Sequence, residues 1–207
     1  MRSKLLFFLN KLLIIFDKGY QDSHTPKTLD QFELIFPVIQ DTKFKRNILE
    51  VGTNKGNLIK LFSNHQFMVF GIDKLNHHRN LSNILVGELD ITEVDMTDFP
   101  EFSNLFILSV HHQFISMYGE LYTLDLLNRL SQIIKSRIFI EFAALNSKYG
   151  FSDGDLFIDN DSDTILEYGF IFLSRLNKKC TIKFLGKTRE DIPNEPFRYL
   201  FEVCFAC

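Results

Sequence analysis

Tryptophan is absent from the sequence, and cysteine is rare. The three cysteines are Cys180, Cys204 and Cys207, an odd number at spacings that match neither a zinc module nor a disulfide framework. We therefore expect a reducing, cytoplasmic environment and no metal site. Cys180 and Cys204 lie in strand-like runs, so we expect them to be buried as small apolar side chains.

An excess of positive charge is also missing. The chain has 23 Lys and Arg residues against 26 Asp and Glu residues, a formal net charge of -3. Proteins that bind nucleic acids usually carry a strongly basic face. We therefore expect no nucleic-acid partner.

No apolar run is long enough to cross a membrane. The most hydrophobic stretch covers residues 5–16, whereas a spanning helix needs roughly twenty residues. The small residues of a signal-peptide cleavage site do not follow it. Two interpretations stay open for this stretch. It is either a helix packed on the domain or on a second subunit of a homodimer, or a helix on a membrane surface with Arg2 and Lys4 beside it.

The first forty residues together read as an extension of the domain that follows. Thr28 predicts the cap of a second helix, from Leu29 to Phe36, with a break at Pro37. Residues 1–40 are therefore predicted to form a helical N-terminal extension that acts as a lid, a docking segment or a membrane-surface segment.

From Asn47 onward, short apolar runs alternate with helical patterns. This alternation is typical of βαβ units and of a mainly parallel sheet. A polar, proline-containing segment joins the last two strands and predicts a terminal hairpin. The predicted strands are Asn47–Val51, Met68–Ile72, Ile91–Val94, Leu105–Val110, Arg137–Phe142, Cys180–Leu185 and Tyr199–Phe205. Residues 41–207 are predicted to form one α/β domain.

The loop after the first strand lacks both common phosphate-binding fingerprints. It contains no G-x-G-x-x-G and no G-x-x-x-x-G-K-[ST], so neither a dinucleotide site nor a P-loop is indicated. The loop reads Glu50-x-Gly52-x-Asn54-x-Gly56, in which the glycines permit a sharp turn and asparagine tolerates positive φ. A carboxylate at Glu50 would repel a pyrophosphate and favour a cationic group. The loop therefore predicts a ligand that is positively charged at this point.

An acid also ends the second predicted strand. One carboxylate can accept hydrogen bonds from two ribose hydroxyls, and an acid serves this purpose in nucleotide-binding Rossmann sheets. Asp73 is therefore a candidate ribose ligand. The alternative is that Asp73 caps the following turn.

The order and spacing of these motifs resemble the class I S-adenosylmethionine-dependent methyltransferase family over residues 44–207. The resemblance implies a Rossmann-like, seven-stranded, mostly parallel sheet with an antiparallel C-terminal strand, flanked by helices. It also implies S-adenosylmethionine as cofactor and S-adenosylhomocysteine as product. The cofactor positions in the two motifs above are Glu50, Gly52, Asn54, Gly56 and Asp73. Asn54 departs from the family, which often has glycine there.

The resemblance extends to the segment after the third predicted strand. In the family an acid there accepts from the adenine amino group, and the next residue packs on the base. Asp95 and Met96 match that pattern, and the distance from Asp95 to the fourth strand is similar to the family spacing. Asp90 is a rival for the role of Asp95.

The fourth predicted strand runs into Ser109-Val110-His111-His112. In the family these residues sit beside the methyl group, which makes Ser109 a further cofactor contact. Histidine titrates near neutral pH, so His111 or His112 is a candidate catalytic base. The alternative is that one histidine packs under the sheet and the other shapes the pocket.

The Asn-Pro-Pro-Tyr type of ending is absent after the fourth strand, which favours an oxygen or an ordinary amine as methyl acceptor. Aromatic and polar residues in the predicted acceptor loops suit a small polar molecule, such as a sugar or a surface-glycan precursor. These residues are Tyr20, His24, Tyr118, Asn146, Lys148, Tyr149 and 153–155. The sequence therefore predicts a small-molecule methyltransferase. The alternatives are a catalytically inactive subunit of the same fold and, less favoured, a Rossmann dehydrogenase.

Overall fold

The computed structural model describes residues 25–40, 47–54, 56–74, 85–145, 162–189 and 197–205. Five strands precede a C-terminal pair, and helices separate most of them. The helices are α1 (Thr25–Ile39), α2 (Asn57–Ser63), α3 (His111–Tyr118), α4 (Glu120–Gln132) and α5 (Ser162–Ser174). The strands are β1 (Asn47–Val51), β2 (Met68–Asp73), β3 (Leu85–Glu88), β4 (Phe102–Ile107), β5 (Ile134–Phe142), β6 (Cys180–Thr188) and β7 (Arg198–Phe205).

The strands form one seven-stranded sheet in the order β3-β2-β1-β4-β5-β7-β6. The first five run parallel, whereas β7 is antiparallel to both β5 and β6. The predicted sheet with an antiparallel C-terminal strand is therefore confirmed. The chain moves outward from β1 to β3 and then returns to β4. Because strand order reverses between β1 and β4, their carboxyl ends border the crevice where such sheets bind ligands.

Alternate residues of the central strands reach opposite faces of the sheet. On β4, Leu105 and Ile107 join the core under α4 and α5, whereas Phe106 joins the core under α1 and α2. Phenylalanine rings fill much of the second core, with centroids 5.1 Å apart for Phe62 and Phe106 and 5.5 Å apart for Phe106 and Phe139. This two-sided burial explains why the strands read as nearly continuous apolar runs.

The prediction of a third strand at Ile91–Val94 is wrong. Leu85–Glu88 pairs with β2 instead, and Ile91–Glu93 is a 3-10 turn. The Asp90 side chain accepts from the amide and the hydroxyl of Thr92, and this local bonding favours a turn over a strand. The residues directly after β3 are therefore those around Asp90.

The predicted helix break at Pro37 is also wrong, because α1 continues to Ile39. Proline removes one helical hydrogen bond and crowds the preceding turn. The last turn nevertheless holds, since Ile35 and Ile39 are fully buried and Phe32 packs on Phe62 at 4.9 Å between ring centroids. Helix α1 thus packs on the domain. The hydrophobic stretch at 5–16 lies outside the described residues, and its packing stays a prediction.

Candidate cofactor-binding site

The loop after β1 turns back toward the end of β2. Gly52, Asn54 and Gly56 all have positive φ, at 75°, 48° and 71°. The amide of Gly52 donates to the Ile72 carbonyl at 2.8 Å, which fixes the start of the turn beside β2. Three left-handed residues in one short loop explain why glycine and asparagine occupy these positions.

Gly52 also allows a close approach between two strand ends. A Cβ atom on Gly52 would lie 2.2 Å from Val110 Cγ1, a distance that no real side chain tolerates. The turn after β4 therefore packs directly on the turn after β1. Ser109, in that second turn, has a φ of 67°.

Glu50 is a buried carboxyl at the end of β1. Burial raises its pKa from 4.5 to about 8; nearby Asp73 and Glu141 also raise it, while the hydrogen bond from Thr53 lowers it. The Thr53 hydroxyl donates to Glu50 Oε2 at 2.7 Å. Near neutral pH the Glu50 carboxyl in the folded protein is therefore largely protonated. A cationic group beside it would favour the ionised carboxylate.

Asp73 ends β2 and faces the same loop. Its Oδ2 accepts a hydrogen bond from the Asn54 amide at 2.8 Å. The two predicted motifs thus meet in space, and a backbone amide of the first orients the acid of the second.

The acids after β3 occupy different environments. Asp90 follows the strand end closely and pairs with Lys74 Nζ at 2.8 Å. That contact and Thr92 lower the Asp90 pKa. Asp95 is exposed, and its pKa is lowered by the amide of Thr97, to which it binds at 2.9 Å.

Met96 is 5% exposed and packs within the core. Its predicted contact with the adenine base stays a prediction. The expectation for Asp95 rested partly on a strand at Ile91–Val94, which the structure does not have, and partly on the distance from Asp95 to the fourth strand; the adenine contact of Asp95 stays a prediction.

The two histidines begin α3 and are both buried. The ring of His111 lies among aromatic side chains, with its centroid 4.3 Å from that of Phe142 and 4.9 Å from that of Phe172. Among the described residues, neither ring nitrogen of His111 has a hydrogen-bond partner. Burial lowers its pKa from 6.5 to about 3.

His111 therefore matches the alternative of a histidine packed under the sheet and not that of a base. The His111 ring is enclosed by Phe142 and Phe172. His112 is 2% exposed, and its role as a base stays a prediction.

A polar cluster around Glu141, near the end of β5, was not predicted as part of the site. Glu141 accepts hydrogen bonds from Thr188 Oγ1 at 2.7 Å and from Ser109 Oγ at 3.3 Å. Lys27 Nζ on α1 lies 3.9 Å from its Oε2 atom. The available sequence signal was a carboxylate inside an apolar strand; its partners are distant in the chain.

Most predicted acceptor-loop residues lie outside the described residues. These are Tyr20, His24, Asn146, Lys148, Tyr149 and 153–155. Tyr118 is described, and its ring lies 5.1 Å from that of Tyr122 between centroids. In the described ranges, no three His, Cys, Asp or Glu side chains are grouped so that they could hold a metal ion. No helix within them has the length and apolar character needed to cross a bilayer.

The fold is that of the class I S-adenosylmethionine-dependent methyltransferases. The bifunctional kinase-methyltransferase WbdD is 17% identical, with a TM-score of 0.60 over 91% of this chain and 42% of its own. The chain thus spans about two fifths of the length of WbdD. Magnesium protoporphyrin IX methyltransferase (ChlM) from Synechocystis PCC 6803, with bound SAM, is 11% identical, with a TM-score of 0.59 over 96% of this chain and 91% of its own.

The carbon methyltransferase CurJ has the same fold, at 13% identity and a TM-score of 0.60 over 94% of this chain and 58% of its own. The sequence matches no family model and no curated protein. At these identities the likeness shows the fold, and neither the methyl acceptor nor the activity follows from it.

Proposed function

We propose that the chain is an S-adenosylmethionine-dependent methyltransferase that acts on an oxygen or nitrogen of a small polar acceptor. The observation that carries the proposal is the meeting of Glu50 and Asp73 at one loop at the switch point of a methyltransferase fold. A raised carboxyl pKa in a crevice is typical of a functional site.

The residues fit the cofactor in shape and charge. Because Gly52 has no side chain, the turn at Val110 packs directly on the proposed cofactor loop, where a Cβ would lie 2.2 Å from Val110 Cγ1. In the proposed complex, Glu50 holds the cationic ammonium end and Asp73 accepts from the ribose hydroxyls. Asp90, two residues after the end of β3, is then placed beside the adenine amino group, with Asp95 as its rival.

When bound, S-adenosylmethionine supplies a methyl group that is already activated by a sulfonium. The protein then needs to align the acceptor with that methyl group, exclude water and allow a proton to leave. The turn at Ser109 and Val110 packs on the loop after β1, and we assign the alignment of the acceptor to this turn. His112 remains the histidine candidate for the proton. A sugar or another polyol remains the proposed acceptor class.

Thermal denaturation with S-adenosylmethionine, S-adenosylhomocysteine, NAD and ATP in parallel tests the proposal. A ligand at a hundred times its dissociation constant stabilises the folded state by about 2.7 kcal/mol. We expect clear shifts with the two sulfur ligands and none with NAD or ATP. No shift with either sulfur ligand would refute the proposal.

A methyl-transfer assay separates the enzyme from an inactive subunit of the same fold. S-adenosylmethionine carrying a labelled methyl group is incubated with the protein and with mixtures of sugars, polyols and small amines. Label in an acceptor supports the enzyme, whereas cofactor binding without transfer to any tested acceptor favours the inactive subunit.

A further inference from the structure

Glu141 is a fully buried carboxylate at the same edge of the sheet as the cofactor loop. Only 1% of the Glu141 surface is accessible to solvent. Oε1 accepts from Thr188 at the end of β6, and Oε2 accepts from Ser109 in the turn after β4. One side chain thus joins the ends of three strands, and one of its partners lies in the turn that packs on Gly52.

Among the described residues, the cation paired with Glu141 is Lys27. Lys27 Nζ lies 3.9 Å from Oε2, beyond the usual hydrogen-bond distance, although both side chains are buried. Glu141 also interacts electrostatically with Glu50. Interactions between charges are much stronger in such a buried site than in water. The field of Glu141 therefore reaches the crevice between β1 and β4.

We propose that Glu141 is a specificity-determining residue that makes the site prefer S-adenosylmethionine to S-adenosylhomocysteine. The proposal rests on the proposed function. The two ligands share the adenosine and amino acid parts and differ by one methyl group and one positive charge at sulfur. A buried negative charge whose field reaches the crevice stabilises the cationic ligand there and has no comparable effect on the neutral thioether.

This preference would matter for turnover. In a site that binds substrate and product equally, loss of the sulfonium charge does nothing to favour release of the product. A carboxylate that responds to the sulfonium charge weakens binding at the moment the charge is lost. Glu141 is suited to this purpose because Thr188 and Ser109 fix it while its burial limits screening by water.

Isothermal titration of both ligands at one fixed pH tests the proposal through the ratio of their dissociation constants. We expect Glu141→Gln to reduce the preference for S-adenosylmethionine by about tenfold, as loss of one charge interaction at an intermediate dielectric would. The amide keeps an oxygen for the Thr188 hydroxyl. Glu167→Gln, on the exposed face of α5, makes the same change in net charge and should leave the ratio unchanged.

A second variant predicts the opposite sign. Lys27→Met removes the cation that partly balances Glu141, so the preference for S-adenosylmethionine should increase. If Glu141→Gln does not fold, Lys27→Met still tests the proposed role of Glu141. A change in shape alone would alter both dissociation constants together.

The proposal is overturned if Glu141→Gln weakens both ligands by the same factor, or if Lys27→Met leaves the ratio as in the wild type. Failure of the wild type to bind either ligand would instead contradict the proposed function. The measurement needs no methyl acceptor.

Discussion

The amide of Asn54 donates a hydrogen bond to Asp73 Oδ2 across 2.8 Å. Asn54 has a φ of 48°, and this left-handed conformation turns its amide toward the end of β2. Asn54, which stands where the methyltransferase family that the sequence resembles often has glycine, therefore has a backbone role that does not depend on its side chain. The contact links the loop after β1 to the acid after β2.

Asp73→Asn should separate this structural contact from ligand binding. The amide oxygen of asparagine can still accept from the Asn54 amide, so we expect a change in unfolding free energy below about 1 kcal/mol. Asparagine cannot offer two charged oxygens to a ribose, so S-adenosylhomocysteine should bind at least about tenfold more weakly. Calorimetric titration and urea unfolding measure the two effects. Asp125→Asn, at an exposed site on α4, is the control. Unchanged affinity in Asp73→Asn would exclude the ribose assignment.

Gly52→Ala should destabilise the fold through the contact with Val110. A Cβ there would lie 2.2 Å from Val110 Cγ1, in a backbone conformation that already disfavours side chains. We expect a loss of about 2 to 4 kcal/mol, the sum of backbone strain and overpacking. Gly119→Ala is matched in its positive φ but has no atom within 4 Å of the added Cβ. Gly119→Ala should therefore lose only the part of the unfolding free energy that is due to backbone strain.

The double variant Gly52→Ala with Val110→Ala tests the origin of this loss. Shortening Val110 removes the clashing atom, so part of the stability should return relative to Gly52→Ala alone. Urea unfolding of the wild type, the two single variants and the double variant gives the coupling between the two sites. Additive effects would mean that the contact with Val110 is not the cause.

Glu50→Gln should increase stability in alkaline solution. The Glu50 pKa is about 8 in the folded state, against an ordinary value of 4.5, so the folded state holds a proton that the unfolded state has lost. Between these two values, stability falls as the pH rises, and above about 8 the loss is complete. The neutral amide removes this pH dependence while keeping an acceptor for Thr53.

The measurement is the difference in unfolding free energy between wild type and Glu50→Gln from about pH 5 to about pH 9. We expect the unfolding free energy of Glu50→Gln to rise relative to that of the wild type as the pH rises. The gain should reach a few kcal/mol, since each pKa unit corresponds to about 1.4 kcal/mol. A difference independent of pH would mean that the carboxyl is not held protonated. The variant should also lose affinity for S-adenosylmethionine.

Local patterns of apolar residues predicted most of the strands, because the faces of a strand that are buried determine which of its positions are apolar. Leu105, Phe106 and Ile107 are apolar in succession since both sides of β4 are covered. The same pattern failed at Ile91–Val94, where β-branched residues favour a strand but Asp90 bonds to Thr92 and makes a turn. A side chain that competes with the backbone is not visible in hydrophobic periodicity.

Some residues of the candidate site were likewise predictable from the sequence, and others were not. Glu50 and Asp73 were predictable because each ends a strand and parallel strands end at the same edge. The Glu141 cluster was not, since Glu141 and Thr188 are 47 residues apart and meet only through the order of β5, β7 and β6. The direction of the His111 ring depends on where α3 begins, and adjacent histidines in a sequence do not show it.

Asp90→Asn and Asp95→Asn should differ in their effect on nucleoside binding. Each acid caps a short turn by accepting from the amide two residues later, at 3.1 Å for Asp90 and 2.9 Å for Asp95. The backbone cap is therefore matched, whereas Asp90 alone also pairs with Lys74 Nζ, so urea unfolding of both variants has to accompany the titration. If the acid that follows β3 contacts adenine, S-adenosylhomocysteine binding should weaken severalfold in Asp90→Asn and stay unchanged in Asp95→Asn. Calorimetric titration measures both, and the reverse order would return the adenine contact to Asp95.

His111→Phe should keep the fold and increase its stability in acid. The His111 ring lies 4.3 Å and 4.9 Å from two phenylalanine rings between centroids, and both its nitrogens are buried without partners among the described residues. Its pKa of about 3 lies below the usual 6.5, so the unfolded state binds a proton that the folded state does not. Stability due to this residue is therefore complete above about pH 6.5 and decreases as the pH falls toward 3.

Phenylalanine cannot be protonated, so the advantage of the variant should grow as the pH falls from about 6.5 to about 4.5 in thermal or urea unfolding. The added ring volume borders a small apolar cavity lined by Ile107, Phe114 and Leu127, which limits overpacking. His112→Phe is the matched comparison at the adjacent position. Methyl transfer, once an acceptor is known, should survive in His111→Phe, because a ring packed against Phe142 is not placed to accept a proton from a substrate. Loss of transfer with cofactor affinity intact would restore His111 as the base.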